Sequence, residues 1–281
     1  MTRPTRRPRG SRGRRLALPL PAVALAAVAV AFFALPLVGL LWRAPWSSAW
    51  TYLTDDTVLA ALRLSLVTSL CATALSVVFG VPLAWLLARV DFPGRDAVRA
   101  LCLLSMVLPP VVGGVALFFA LGRRGLVGQY LDDWFGITLP FTSAGVVVAQ
   151  TFVAMPFLVI TVEAALRQLD PRLEEASRTL GASRWYTFRR VTLPAIRPAL
   201  VAGAVLAWAR ALGEFGATIT FAGNFPGTTQ TMPLAVYLSL ETNPEEAIVL
   251  ALVMIAISFG VLLSLRDRWF GAVNRPMQVA A

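Results

Sequence analysis

The sequence contains no histidine and no lysine, and each absence removes whole classes of chemistry. Without histidine there is no imidazole general base, no Ser-His-Asp arrangement and no imidazole metal site. Without lysine there is no G-x-x-x-x-G-K-[ST] phosphate loop and no Schiff-base nucleophile. If ATP drives this protein, another chain binds it. Cysteine is scarce: Cys71 and Cys102 both fall inside apolar runs, where they are expected as buried small hydrophobes, not as a disulfide framework. Charged residues make up only 14% of the chain, too few to cover the surface of a soluble protein of 281 residues.

What the chain does have is apolar length. Hydrophobic residues account for 57% of it, and they come in blocks. Each block is about twenty residues, the length a helix needs to cross a ~30 Å hydrocarbon layer. Weak alternation and abundant Leu, Ala and Val favour helices over a barrel. The fold class is therefore all-α: a polytopic membrane protein with about six transmembrane helices. These are expected at Leu18–Trp42, Val58–Ala88, Ala100–Leu121, Ala144–Val162, Pro198–Phe221 and Ala247–Leu265. The second block is too long for one span, which puts Arg63 at the outer interface. The opening residues 1–17 read as a disordered basic tail. The block after it is longer than the apolar region of a secretory signal, so an uncleaved first helix is expected. Four parts follow: the tail (1–17), the first helix with its outer loop (18–57), a transmembrane domain (58–265) holding a cytoplasmic loop at 163–197, and a C-terminal tail (266–281).

The formal charge of +10 is a topology signal and not a nucleic-acid footprint. With both termini inside the cell, every arginine lies on the inner side except Arg43, Arg63, Arg123, Arg124 and Arg210. The outer loops carry Asp55, Asp56, Asp132, Asp133, Glu241, Glu245 and Glu246, so that face is net acidic.

One polar stretch interrupts the apolar chain: "EEASRTLGASRWYTFRRVTLP", Glu174 to Pro194, on the inner side. Asp170 can cap a short helix, Pro171 suits its first turn and Gly181 suits the position past its end. Ser183 can cap a second helix running through Arg190, with Pro194 ending it. Composition alone also fits a solvated connector.

The spacing Glu175-Ala176-Ser177, three residues, Gly181, nine residues, Val191-Thr192-Leu193-Pro194 resembles the signature loop of ABC-importer permeases. Ser177 stands for a second alanine of that pattern and Val191 for isoleucine. The resemblance implies a type I importer permease fold and an ATPase subunit docked on Glu175, Ala176, Ser177 and Gly181, with Val191, Leu193 and Pro194 completing the motif. It extends over about Leu64 to Leu265. Within it, "LPPVVGGVALFFALGRRGLVGQYLDDWFGITLPF" and "RALGEFGATITFAGNFPGTTQTMPLAVY" look most like the molybdate branch of the oxyanion importers. Tungstate or sulfate/thiosulfate is the alternative cargo, and an ion-gradient-driven carrier is the rival class.

Arg210 and Glu214 are one helical turn apart inside the fifth apolar block, flanked by Gly213 and Gly216. Charge there must be paired or face water. Two readings stay open: an ion pair locking helices together, or a border of the translocation path. Pro109-Pro110 with Gly113-Gly114 are expected to break the third helix, and Met155-Pro156 is a candidate kink in the fourth.

The resemblance implies two copies of this chain in the bacterial cell membrane, two ABC ATPase subunits inside and an extracytoplasmic molybdate-binding protein outside. It implies a non-catalytic transport subunit with no cofactor, metal site or nucleic-acid partner. The acidic outer residues Asp132, Asp133, Glu245 and Glu246 are expected to meet the binding protein.

Overall fold

The computed structural model describes residues 20–273, and side chains over 21–263. The expected tail at 1–17 and the end of the expected C-terminal tail lie outside the described residues. Two units divide at Ala44. In the first, α1 (Leu20–Arg43) is apolar on every side, as a membrane span must be.

The second unit, from Pro45 onward, is helical in every described element. After the short α2 (Ala49–Leu53) comes α3 (Asp56–Arg89), about 51 Å long at 1.5 Å per residue. Asp55 caps α3 by accepting the Thr57 N–H at 2.8 Å, and that hydrogen bond holds its carboxyl below the usual carboxylate range. One face of α3 is a stripe of small buried residues: Ser65, Ser69, Ala72, Ser76 and Gly80. Spaced at one helical turn, they let α7 (Ser143–Gln168) approach closely. At Gly80 a β-carbon would sit 2.9 Å from Leu158 Cδ2, so only glycine permits this contact without displacement. The main core lies here, where Ala84 and Leu87 of α3 meet Leu158, Val162 and Leu166 of α7, joined by Ile196, Ala207 and Ala211 of α10 (Leu193–Leu212).

The third expected span is broken into α4 (Arg95–Val107) and α5 (Pro110–Leu121). Pro109 and Pro110 supply no N–H and clash with a preceding helical turn, so the chain restarts with Pro110 in the first turn.

The fifth expected span also breaks. Its helix α10 stops at Leu212, and α11 (Gly216–Phe221) begins after a kink at 213–215. A further helix, α12 (Met232–Thr242), lies between α11 and α13 (Pro244–Val273) and packs on α13. At 11 residues it is too short to cross a bilayer. Short α6 (Gly128–Phe135) exposes Trp134 and Phe135, as aromatic residues at a membrane interface do.

Three expectations are corrected. Cys71 is exposed on α3, and Cys102 on α4 is half-buried. In a lipid-bathed bundle an apolar side chain gains nothing by facing the protein, so a small hydrophobe need not be interior. Helix α13 continues through Arg266 and Arg268 to Val273, beyond the expected end at Leu265. Likewise α7 runs to Gln168, so the polar loop is shorter than expected.

Candidate functional site

The polar stretch folds into two short helices set at an elbow. Helix α8 (Pro171–Thr179) starts at Asp170, whose carboxylate accepts the Arg172 N–H at 3.0 Å. It ends with the Gly181 N–H donating to Arg178 O and the Ala182 N–H to Ser177 O, at 2.9 and 3.2 Å. Those two bonds make a Schellman cap, which requires a left-handed residue; Gly181 has φ +83°. Ser183 then caps α9 (Arg184–Thr187) by accepting the Tyr186 N–H at 3.2 Å.

The expected stop at Pro194 does not occur. Beyond α9 the chain passes through a π-helical turn (Phe188–Thr192) straight into α10. The Leu193 N–H reaches back five residues to Phe188 O. A proline ring collides with the carbonyl four residues earlier in an α-helix. Widening the turn before Pro194 lets the helix accommodate it. Val191 is half-buried in the turn, Leu193 is half-buried at the start of α10, and Pro194 is exposed.

Glu175, Ala176 and Gly181 face outward, and so do large apolar groups on the same elbow. Leu180 is 88% exposed and Trp185 68%, with the Trp185 ring stacked on Phe188 at 5.9 Å. Ser177 is half-buried, and its hydroxyl meets that of Thr187 at 3.0 Å, tying α8 to α9. Alanine, the residue of the resembled pattern, could not make that bond.

Sequence reasoning missed the residues that anchor the elbow. Glu174 is buried and accepts the Thr192 hydroxyl at 2.7 Å from the π turn. Arg89, at the end of α3, lies 3.6 Å from the same carboxylate oxygen and donates to Leu169 O at 3.3 Å. Glu174 is thus the joint between the elbow and two membrane helices. Its spacing from Arg178, four residues on, suggests a helical ion pair, but the carboxylate turns instead to partners 18 and 85 positions away.

A second charged cluster fastens the same end of the bundle. Glu163 on α7 is buried and takes Arg99 of α4 at 2.8 Å and Arg167 at 2.9 Å. Arg95 Nε donates to the Leu87 carbonyl at 2.8 Å, satisfying one of the four open carbonyls at the end of α3. The pairs Glu163–Arg167, Asp91–Arg95 and Asp96–Arg99, three or four residues apart, are readable from spacing, whereas Arg99 to Glu163 is not.

Arg210 and Glu214 do meet, with Nη1 to Oε2 at 2.6 Å, but not on one continuous helical face. Glu214 lies in the kink, buried, and its Oε1 accepts the Ala217 N–H of α11 at 2.8 Å. The Oε2 contact with Arg210 is an ion contact outside hydrogen-bond geometry. Gly216 packs on α5: a β-carbon there would lie 2.9 Å from Pro110 Cβ. Gly213 is open, with nothing nearer than Ala209 O at 3.6 Å, so it separates α10 from α11 without packing on a neighbour.

At the opposite end, three of the four acidic residues expected to be free are engaged within the chain. Asp132 pairs with Arg123 at 2.7 Å, Glu245 accepts the Tyr52 hydroxyl at 3.3 Å and Glu246 that of Ser239 at 3.2 Å. The Asp132 hydrogen bond raises the pKa of Arg123. Asp133 remains exposed.

A bundle of broken and unbroken membrane helices with a capped elbow at its arginine-rich end is the type I ABC importer permease fold. A solved bacterial ABC transporter that imports the acidic polysaccharide alginate superposes with a TM-score of 0.68, at 21% identity, covering 89% of this chain and 94% of that one. Residues 80–277 match the family model described as binding-protein-dependent transport system inner membrane component. The chain belongs to that family. Among its relatives, the molybdenum transport system permease protein ModB of Mycobacterium tuberculosis is 45% identical, covering 89% of this chain and 92% of that protein. The sulfate transport system permease protein CysT of Escherichia coli is 39% identical, covering 82% and 83%.

Proposed function

We propose that this chain is the membrane-spanning subunit of an ATP-driven molybdate importer. Two copies form the pathway, both termini lie in the cytoplasm, two ATPase subunits bind the elbow and an extracytoplasmic binding protein delivers the anion. The observation that carries the coupling role is the elbow itself. It is ordered by three caps, tied back to α3 and α10 through Glu174, and still presents Leu180 and Trp185 to the outside. Exposed apolar groups on a rigid polar element mark a protein-docking surface. Similarity to a molybdenum permease exceeds that to a sulfate permease, 45% against 39%, which favours molybdate over sulfate. The family is binding-protein-dependent, which argues against a carrier driven by an ion gradient.

Closure of the ATPases on ATP would move the Glu175–Gly181 face, and the π turn would pass that movement into α10. The chemistry is the partner's. This chain supplies coupling and alternating access.

The test is ATP hydrolysis by the complex of this chain, its ATPase and its binding protein in liposomes, with molybdate, tungstate or sulfate added in turn. Molybdate-loaded binding protein should stimulate hydrolysis, and Gly181→Val should abolish the stimulation. An L-residue at φ +83° costs about 1–2 kcal/mol, and with nothing within 4 Å the whole penalty falls on the turn. Hydrolysis that ignores all three oxyanions refutes the importer reading. Stimulation by sulfate alone refutes the cargo.

A further inference from the structure

We infer that Arg210 is a transient contact for the tetrahedral oxyanion inside the membrane, held by Glu214 so that the contact is weak. This rests on the importer reading above and names the site that the cargo meets on its way through.

Depth comes first. Arg210 lies 13 residues beyond Arg197 on α10, about 20 Å along the helix and well inside the apolar layer. A charge at that depth is retained where it faces water or other polar groups. Among the described residues the charged partner of Arg210 is the Glu214 carboxylate, which Nη1 approaches to 2.6 Å, and Arg210 makes no hydrogen bond among them. The rest of the guanidinium is unengaged, and 27% of the side chain is open at the surface. Lipid is a poor environment for that edge; an aqueous path is a good one.

The carboxylate is out of reach. Glu214 is 1% exposed, and its Oε1 is occupied in capping α11 through Ala217. An anion approaching this surface therefore meets N–H donors and not carboxylate oxygens. The planar guanidinium fork matches two oxygens of a tetrahedral oxyanion, as it matches phosphate. Helix α5 adds to the same neighbourhood. Its first turn, at Pro110 and Val111, abuts Gly216, two residues past Glu214. The Val111 and Val112 N–H groups have no acceptor among the described residues, and they form the positive end of a 12-residue helix.

Glu214 also explains why such a site would not trap its cargo. A lone arginine at this depth would hold a dianion strongly. The carboxylate behind it offsets most of that charge, and a path must bind weakly enough to release. The two copies of the chain place two such pairs along one path.

The deciding experiment is a charge-cancelling double variant, Arg210→Gln with Glu214→Gln, in the reconstituted complex. The glutamine at 214 keeps an oxygen for the Ala217 N–H, and no buried charge is left unpaired. The readout is radiolabelled molybdate imported per ATP hydrolysed, beside the wild type. If Arg210 contacts the anion, this ratio falls about tenfold or more, the factor one charge-assisted hydrogen bond is worth. The single variant Arg210→Gln should be at least as impaired. A double variant whose ratio returns to that of the wild type overturns the inference and makes the pair a structural lock. A double variant that does not assemble overturns it for the same reason. A wild-type complex that imports no molybdate refutes the importer reading instead.

Discussion

Glu174 gives the most direct test of how the elbow is held. Replacing it with alanine removes two interactions at once. The Thr192 hydroxyl, itself 1% exposed, loses a carboxylate acceptor at 2.7 Å. A hydrogen bond to a charged group is worth about 1.5–3 kcal/mol. Arg89 loses a counter-charge at 3.6 Å, with 14% of its side chain exposed, which adds up to about 1 kcal/mol. The sum, about 2–4 kcal/mol, acts on the local opening of α8, since the bundle core does not involve Glu174. An opening free energy lowered by about 2 kcal/mol raises the open population roughly thirtyfold. Amide hydrogen exchange over 172–180, measured in nanodiscs, should therefore accelerate by about thirtyfold or more in Glu174→Ala. Glu174→Gln keeps an acceptor for Thr192 and loses only the charge pairing, so its exchange should accelerate by about fivefold or less. Thr192→Val combined with Glu174→Ala should add little to the single change, because both remove the same bond. Exchange in Glu174→Ala indistinguishable from wild type would show that α8 is held by something other than this joint.

Two further outcomes follow from packing. A β-carbon at Gly114 would fall on Thr220 Oγ1 and lie 2.8 Å from the Ala217 carbonyl oxygen. Thr220 can turn away but the backbone cannot, so Gly114→Ala should lower stability by about 1–3 kcal/mol, and Thr220→Ala should restore only part of it. An unchanged unfolding midpoint in detergent would mean that α5 and α11 do not pack this closely. Gln150 on α7 is fully buried, and neither amide atom has a hydrogen-bond partner among the described residues. Gln150→Met should raise stability by about 1–3 kcal/mol by removing an unsatisfied amide. A lowered midpoint would show instead that the amide is hydrogen-bonded to a buried water.

The elbow was legible because local chemistry writes it. Asp170, Pro171, Gly181 and Ser183 each act within three residues of their own position, and all sit where the sequence places them. The same holds for the break at Pro109 and Pro110, which depends on ring geometry alone. What was not legible depends on distant partners or on solvent. The kink after Leu212 has no proline to announce it, and Glu214 leaves the helix to cap α11, a role that its spacing from Arg210 conceals. Helix α12 is too short to register as a span, and its burial against α3, where Ser65 accepts the Met232 N–H, is a tertiary fact. Pro194 misled in the other direction. A proline is a stop signal for an α-helix, but the π turn ahead of it removes the collision on which that rule rests. Cys71 was expected inside because soluble proteins bury such residues, and lipid abolishes that preference.

The π turn also fixes an angle. Each residue advances an α-helix by about 100°, and a π turn amounts to one residue more than regular winding would hold. Everything beyond Thr192 is therefore rotated by that increment relative to the elbow. Arg210 stands about five turns further along, and the side of the bundle it faces is set by this single extra residue. The turn acts as a phase adjustment on a long shaft: it matches the azimuth of a charged group inside the membrane to the azimuth of a surface outside it. Two positions that share no contacts, the exposed face of the elbow and the guanidinium of Arg210, are set relative to each other by local winding alone.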